Sequence, residues 1–269
     1  MGFPPIVTAR RKTIRDLMTI FRSTLFFLWF VLATVVLNLG FLPALLLPRR
    51  AAVTAGRTWA AATLWGLRIF AGLTFEVRGT PPRGAVLVAS KHMSMWDTLA
   101  LYVLLDAPMI VLKRELLNIP FYGWYARKAG VIAIDRDGGA LALRQMAADA
   151  KKAYADGNTV MIFPEGHRQP PGAPPDYKPG VAALYSFLGA PCIPVALNSG
   201  LFWTGPGGFV KKRGTIVVQF LPAIPAGLKR QELMSELQTR IETATAALVD
   251  EGRRQLEDDF SRSRRERGK

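Results

Sequence analysis

The apolar residues of the chain change their pattern near residue 70. Residues 23–48 carry no charged side chain, and the first twenty or so of them are enough to cross the hydrocarbon core of a bilayer as one helix. From about residue 73, short apolar runs of strand length alternate with longer, periodically apolar segments of helix length. The pattern predicts a membrane-embedded helical segment followed by a domain in which strands and helices alternate.

The alternation after residue 70 predicts an α/β fold with a largely parallel sheet sandwiched by helices. The expected strands are residues 73–78, 84–89, 109–112, 131–134, 159–163, 192–197 and 215–220. The expected helices are residues 98–105, 140–155, 181–188 and 230–257. We therefore divide the chain into an N-terminal membrane-anchoring helical region (1–70), an α/β domain (71–258) and a basic tail (259–269) that we expect to be disordered.

The uncharged segment can lie in a membrane in two ways. Gly40 and Pro43 interrupt its helical pattern near the end, so it either spans the bilayer or enters and leaves by the same face. Basic residues stand on both sides, so the positive-inside rule does not assign an orientation. A secretory signal peptide fits less well, because the apolar run is long and no small-residue cleavage site follows it. A helix buried in a soluble core is the remaining alternative.

The formal net charge of +15 is unevenly distributed. Before Glu76 the chain has one acidic residue, Asp16, against nine basic ones. These basic residues interrupt apolar stretches and form no recognisable nucleic-acid module, so they favour an anionic membrane surface over a nucleic acid as partner.

Cys192 is the only cysteine, which excludes an intramolecular disulfide and agrees with a reducing compartment.

His92 and Asp97 carry the clearest chemical signal in a chain with only two histidines. A neutral imidazole can take a proton from a hydroxyl near pH 7, and a carboxylate on its other nitrogen fixes the tautomer. Five residues of ideal helix would turn the two side chains about 140° apart. They can therefore meet only if His92 lies in a loop and Asp97 in the first turn of the next helix. A core histidine bonded to a backbone carbonyl is the structural alternative.

Four sequence blocks resemble those of a known family. Residues 92–97 are similar to the His-x-x-x-x-Asp signature of the glycerolipid acyltransferases, and specifically of the bacterial 1-acylglycerol-3-phosphate acyltransferases. Residues 113–136, 163–168 and 193–197 resemble the second, third and fourth blocks, in the family's order. In the third block His167 stands where the family usually has threonine, which leaves the acceptor less defined than the reaction.

The resemblance implies a membrane-bound O-acyltransferase of phospholipid biosynthesis. It would move a fatty acyl chain from acyl-CoA or acyl carrier protein to 1-acylglycerol-3-phosphate and so form phosphatidic acid. Arg168 and Lys113 would hold the acceptor phosphate, a role that suits a two-pronged guanidinium and a compact ammonium. Glu165 would orient Arg168, hold a glycerol hydroxyl or form a structural ion pair. Gly166 would permit a backbone turn that a side chain blocks.

His92 would act as the general base on the acceptor hydroxyl, oriented by Asp97. Because the chain has no Gly-x-Ser-x-Gly elbow, we favour direct displacement over a covalent acyl-enzyme. The reaction needs no cofactor. Histidine and carboxylate residues are present, but their spacing matches no known zinc arrangement, so we expect no metal.

The chemistry of the substrates predicts the location. A lyso-lipid lies in the bilayer and a thioester donor in the cytosol, so we expect the inner (cytoplasmic) membrane, with the catalytic domain facing the cytoplasm.

Two alternative functions remain open. One is an acyltransferase for a phosphate-free lyso-lipid such as lyso-ornithine lipid, which His167 allows. The other is a non-catalytic membrane protein that binds lipid.

Overall fold

The computed structural model describes residues 6–203 and 208–266, with the side chains of these between residues 16 and 257. Two helices come first: α1 (Ile6–Gly40) and, after a 3-10 turn at Leu42–Leu45, α2 (Arg49–Gly66), which ends in a π-helical turn at Leu67–Ala71. The other helices are α3 (Met95–Leu104), α4 (Tyr122–Ala129), α5 (Gly139–Ala155), α6 (Gly180–Leu188) and α7 (Arg230–Glu266). The strands are β1 (Leu73–Arg78), β2 (Leu87–Ser90), β3 (Met109–Lys113), β4 (Ile132–Ile134), β5 (Val160–Ile162), β6 (Cys192–Leu197) and β7 (Gly214–Phe220).

The seven strands form one sheet in the order β1-β7-β6-β2-β5-β3-β4. All neighbouring strands run parallel except β6 and β7, which are antiparallel. The predicted α/β class and largely parallel sheet are confirmed. The strand β2 lies in the interior of the sheet, between β6 and β5, so the loop that follows it opens at the carboxyl edge of the sheet, where sites of such folds gather.

Both faces of the sheet are covered by helices. Side chains of β2 alternate between the two sides: Val88 packs in a cluster with Trp96 and Leu101 of α3, whereas Leu87 and Ala89 pack in a second cluster with residues of α5, α6 and α7. This two-residue period is the one expected for a strand buried on both faces. The loop after β2 therefore starts from a strand that helices cover on both faces of the sheet.

The helices α1 and α2 form an antiparallel hairpin. The indole N–H of Trp29 donates to the carbonyl of Ala62 at 2.9 Å, and that of Trp59 donates to the Thr34 hydroxyl at 2.9 Å. The turn lies where Gly40 and Pro43 were expected to interrupt the helix. Of the described residues, one helical segment, Asp16–Gly40, is long and apolar enough to cross a membrane, and only 17% of its most apolar window is buried. That exposure is unlike a helix in a soluble core.

The last helix is longer than the sequence pattern indicates. It continues to Glu266, so a helical backbone extends into the tail for which we expected disorder. The final residues, 267–269, lie outside the described part of the chain.

Candidate active site

The structure brings His92 and Asp97 together in the way that their spacing requires. His92 lies in the loop after β2, and Asp97 lies in the first turn of α3, where it forms a capping box with Ser94. The imidazole Nδ1 is 3.0 Å from Asp97 Oδ2. The His92 side chain is 11% exposed and that of Asp97 is fully buried.

Several donors fix the Asp97 carboxylate in place. Its Oδ2 accepts the backbone N–H groups of Met93 at 2.6 Å and Ser94 at 2.9 Å. Its Oδ1 accepts the hydroxyl of Ser199 and, at 3.3 Å, that of Ser94. A carboxylate held this way is a fixed acceptor, so the Nδ1 of His92 carries the proton and Nε2 is the basic nitrogen.

The basic nitrogen of His92 is left free. Within residues 16–203 and 208–257, whose side chains are described, no group bonds to Nε2. The imidazole ring stacks on Phe163, with ring centroids 3.9 Å apart and planes 18° apart. One ring nitrogen is thus anchored, the ring face is supported, and the other nitrogen is available to take a proton.

Ser199 is a site residue that the sequence prediction missed. It follows β6, and its hydroxyl contacts both Asp97 and the Ser94 hydroxyl, the latter at 2.8 Å. The sequence could have indicated Ser199 through its position directly after a predicted strand. The carboxyl ends of the parallel strands β2 and β6 meet at the same edge of the sheet, so residues that follow them lie close together.

Glu165 forms a buried ion pair, one of the three arrangements expected for it. It is fully buried, its Oε1 accepts from Lys91 Nζ at 2.7 Å, and its Oε2 accepts from the backbone N–H of His92 at 3.4 Å. Burial raises the pKa of Glu165, and the Lys91 ammonium opposes that rise. The ion pair joins the third block to the His92 loop, and Glu165 forms no hydrogen bond or ion pair with Arg168.

The other residues of the third block surround a tight turn. Gly166 has a φ of +71°, a conformation that favours glycine, and its carbonyl accepts from the Arg136 guanidinium. His167 is exposed, with its Nε2 2.9 Å from the Gln169 side-chain nitrogen. The backbone N–H of Gln169 donates to the His92 carbonyl at 2.8 Å, which ties this turn to the His92 loop.

The two cations expected to hold phosphate are accessible. Arg168 is half-buried, and no described residue forms a hydrogen bond or ion pair with its guanidinium. Lys113 ends β3, and its side chain is 43% exposed in a 3.0 Å pair with Glu115. An exposed pair of this kind contributes little, so both cations are free to bind an anion.

An apolar cavity of about 510 Å³ lies between the α1–α2 hairpin and the elements α3, β3 and α4. Its walls include Trp59, Leu99, Tyr102 and Tyr125, and it reaches Thr98, the residue after Asp97. Its volume is in the range of small-molecule sites. The second block contributes residues 119–122 to the wall. Next to them, Gly123 packs closely against the preceding turn, where an added Cβ would lie 1.8 Å from the Leu117 carbonyl oxygen.

Comparisons with known proteins agree with this geometry. A family model described as acyltransferase matches residues 74–198. The chain is 37% identical, over 82% of its length, to the 1-acyl-sn-glycerol-3-phosphate acyltransferase of Pseudomonas aeruginosa, of which the match covers 87%. It is 30% identical, over 67% of its length, to the lyso-ornithine lipid O-acyltransferase of that organism, of which the match covers 76%.

A solved structure shows the same fold. The crystal structure of the 1-acyl-sn-glycerophosphate (LPA) acyltransferase PlsC from Thermotoga maritima superimposes with a TM-score of 0.69. The match covers 88% of this chain and 97% of that one, at 20% sequence identity. The likeness extends beyond the α/β domain, since the match covers 88% of the chain and residues 71–258 are a smaller share of it.

Proposed function

This chain belongs to the acyltransferase family that includes the 1-acyl-sn-glycerol-3-phosphate acyltransferases, and from that premise we propose its substrates and mechanism. It transfers a fatty acyl chain from acyl-CoA or acyl carrier protein to the free hydroxyl of 1-acylglycerol-3-phosphate and forms phosphatidic acid. The observation that carries the proposal is the free Nε2 of His92, on a ring whose other nitrogen is 3.0 Å from a buried carboxylate.

The reaction proceeds by direct displacement. His92 Nε2 takes the proton of the acceptor hydroxyl as that oxygen attacks the thioester carbonyl, and Asp97 stabilises the imidazolium that forms. The new C–O bond replaces the C–S bond when the tetrahedral intermediate collapses. The departing thiolate then takes the proton from His92, which returns the base to its starting state.

Arg168 and Lys113 bind the acceptor phosphate. Their accessibility supports this role, and the higher identity to a relative named for a phosphate-bearing acceptor favours it. A second candidate acceptor is a phosphate-free lyso-lipid, because the lyso-ornithine lipid O-acyltransferase is also similar to this chain. A purely lipid-binding role does not explain a buried dyad with one free basic nitrogen.

Replacing Arg168 by alanine is expected to raise the KM for 1-acylglycerol-3-phosphate by roughly 10- to 100-fold, because a hydrogen bond to a charged group contributes about 1.5–3 kcal/mol. The KM for the acyl donor should stay at the wild-type value. Steady-state assays with labelled acyl-CoA measure both constants. Arg144→Ala is the matched control, since Arg144 is exposed on α5. An unchanged KM for the lyso-lipid in Arg168→Ala would contradict phosphate binding by Arg168.

The apolar cavity holds an acyl chain. Thr98, the residue after Asp97, forms part of its wall, so the cavity reaches the vicinity of the dyad and can hold a chain whose polar end lies there. Its walls come from both the hairpin and the α/β domain, so a chain bound there contacts both.

The α1–α2 hairpin lies in one leaflet of the membrane rather than crossing it. Two contacts of α1 with the domain support this: Phe26, in the interior of the helix, packs edge-on against Trp203, and near the end of the helix the Asn38 carbonyl accepts from the Tyr125 hydroxyl at 2.8 Å. The opposite face is an exposed apolar stripe that includes Leu17, Phe21, Leu28, Leu32, Val36 and Leu39. A helix of this kind lies in the plane of the interface. We assign that interface to the cytoplasmic face of the inner membrane.

Introducing Leu28→Asp and Leu32→Asp together should weaken vesicle binding by about 100-fold or more, because burying each leucine side chain contributes about 1.5–3 kcal/mol. Flotation with vesicles containing anionic lipid measures the bound fraction. Leu141→Asp is the control, because Leu141 is 78% exposed on α5 and lies outside the stripe. Equal loss in the control, or protease cleavage of the two chain ends from opposite sides of sealed vesicles, would contradict the in-plane hairpin.

A further inference from the structure

A network of charged groups, buried at Lys91 and Glu165 and partly exposed at Glu242, lies behind the His92 loop and connects it to α7. The Lys91 side chain is 2% exposed. Its Nζ is 2.7 Å from Glu165 Oε1 and 2.8 and 3.0 Å from the two oxygens of Glu242. The Tyr177 hydroxyl donates to Glu242 Oε1 at 2.9 Å. A continuous path therefore runs from Tyr177 through Glu242, Lys91 and Glu165 to the backbone N–H of His92.

The stability of the fold does not by itself account for this network. Taking charges out of water is costly, and replacing a buried ion pair by apolar groups often leaves stability unchanged or raises it. Here a single ammonium compensates two carboxylates. Tyr177 supplies a further donor, and burial together with the neighbouring Glu242 raises its pKa, so it remains a donor at neutral pH.

The members of the network come from separate parts of the chain. Lys91 follows β2, Glu165 follows β5, and Glu242 lies on α7. On its other side, the loop before His92 is held by β6, since the Lys91 N–H donates to the Val195 carbonyl at 2.9 Å. The backbone that carries His92 is thus fixed from two directions, by β6 and by the charged network, and the network depends on α7.

We propose that Glu242 and Lys91 are positioning residues for acyl transfer, through which α7 fixes the loop that carries His92. Neither residue bonds to the imidazole, and neither is placed against substrate. Glu242 lies beyond residues 74–198, the part that the family model matches, so the site depends on an element outside the four sequence blocks. The inference rests on the proposed function, since it presumes that His92 is the base.

Glu242→Gln tests the proposal, because it keeps the shape of the side chain and removes its charge. We expect kcat to fall by roughly 10- to 100-fold, since small displacements of a catalytic group cost about this much. The KM values for both substrates should stay near wild type. The matched control is Glu236→Gln, which removes an exposed pair with Arg240 on the same helix and should leave kcat unchanged. Thermal unfolding of each variant separates loss of fold from loss of rate.

A second variant keeps the test valid if Glu242→Gln does not fold. Tyr177→Phe removes only the hydroxyl that donates to Glu242, and we expect a smaller loss of kcat. When both changes fold, the double variant should lose less than the product of the single losses, because both act through Lys91. An unchanged kcat in folded Glu242→Gln, a change confined to KM, or fully multiplicative losses would overturn the proposal. Absence of acyl transfer by wild type would instead overturn the proposed function.

Discussion

Replacing His92 by alanine is expected to lower kcat by about 10²- to 10⁴-fold, the contribution of a positioned general base. The acceptor hydroxyl would then have no group to take its proton, while the contacts proposed for its phosphate would remain. KM for the lyso-lipid should therefore change little. The assay follows transfer from labelled acyl-CoA by purified protein in detergent, with circular dichroism to show that the variant is folded.

The other histidine provides the comparison for this result. His167 is exposed, and its Nε2 contacts the side chain of Gln169 rather than a carboxylate. His167→Ala should keep a kcat close to that of wild type with the phosphate-bearing acceptor. If His92→Ala retained wild-type kcat, or if His167→Ala alone abolished turnover, the assignment of the base would be wrong.

Asp97→Asn is expected to lower kcat by about 10²- to 10⁴-fold as well, comparable to the loss of the orienting carboxylate in other His–carboxylate pairs. The amide oxygen can still accept the N–H groups of Met93 and Ser94, and the amide nitrogen can face the Ser199 hydroxyl. The fold should therefore survive. What is lost is the negative charge that stabilises the imidazolium in the transition state.

Ser199→Ala separates the charge of Asp97 from its placement. It removes one donor to Oδ1 and leaves the carboxylate charged, so its loss of kcat should be much smaller than that of Asp97→Asn. Steady-state kinetics of both variants, with thermal unfolding as the check on folding, gives the comparison. A folded Asp97→Asn with unchanged kcat would show that the carboxylate does not act on His92.

The dyad was predictable because its geometry is local. The spacing of five positions from His92 to Asp97 requires a loop followed by a helix start, and the structure has that arrangement. The strands were predictable for the same reason, because each is an apolar run bounded by turns. The antiparallel pairing of β6 and β7 was not, since an apolar strand buried on both faces has the same sequence pattern in either direction.

The supporting contacts of the site were not predictable from local sequence. Lys91 and Glu242 are 151 residues apart, and nothing in the sequence around either residue indicates the other. The role of Glu165 likewise depended on which cation the fold brought to it. The cavity walls come from elements spread over residues 34–131, so its outline appears only when the hairpin packs against α3 and α4.

The most direct test of the account is product formation by the purified wild-type protein. Labelled acyl-CoA, and separately acyl carrier protein carrying the same acyl chain, is offered with 1-acylglycerol-3-phosphate or with lyso-ornithine lipid. We expect phosphatidic acid from the first acceptor with at least one donor, at a rate well above that of product formation from the second acceptor. Product from lyso-ornithine lipid alone, or no product from any combination, would contradict it.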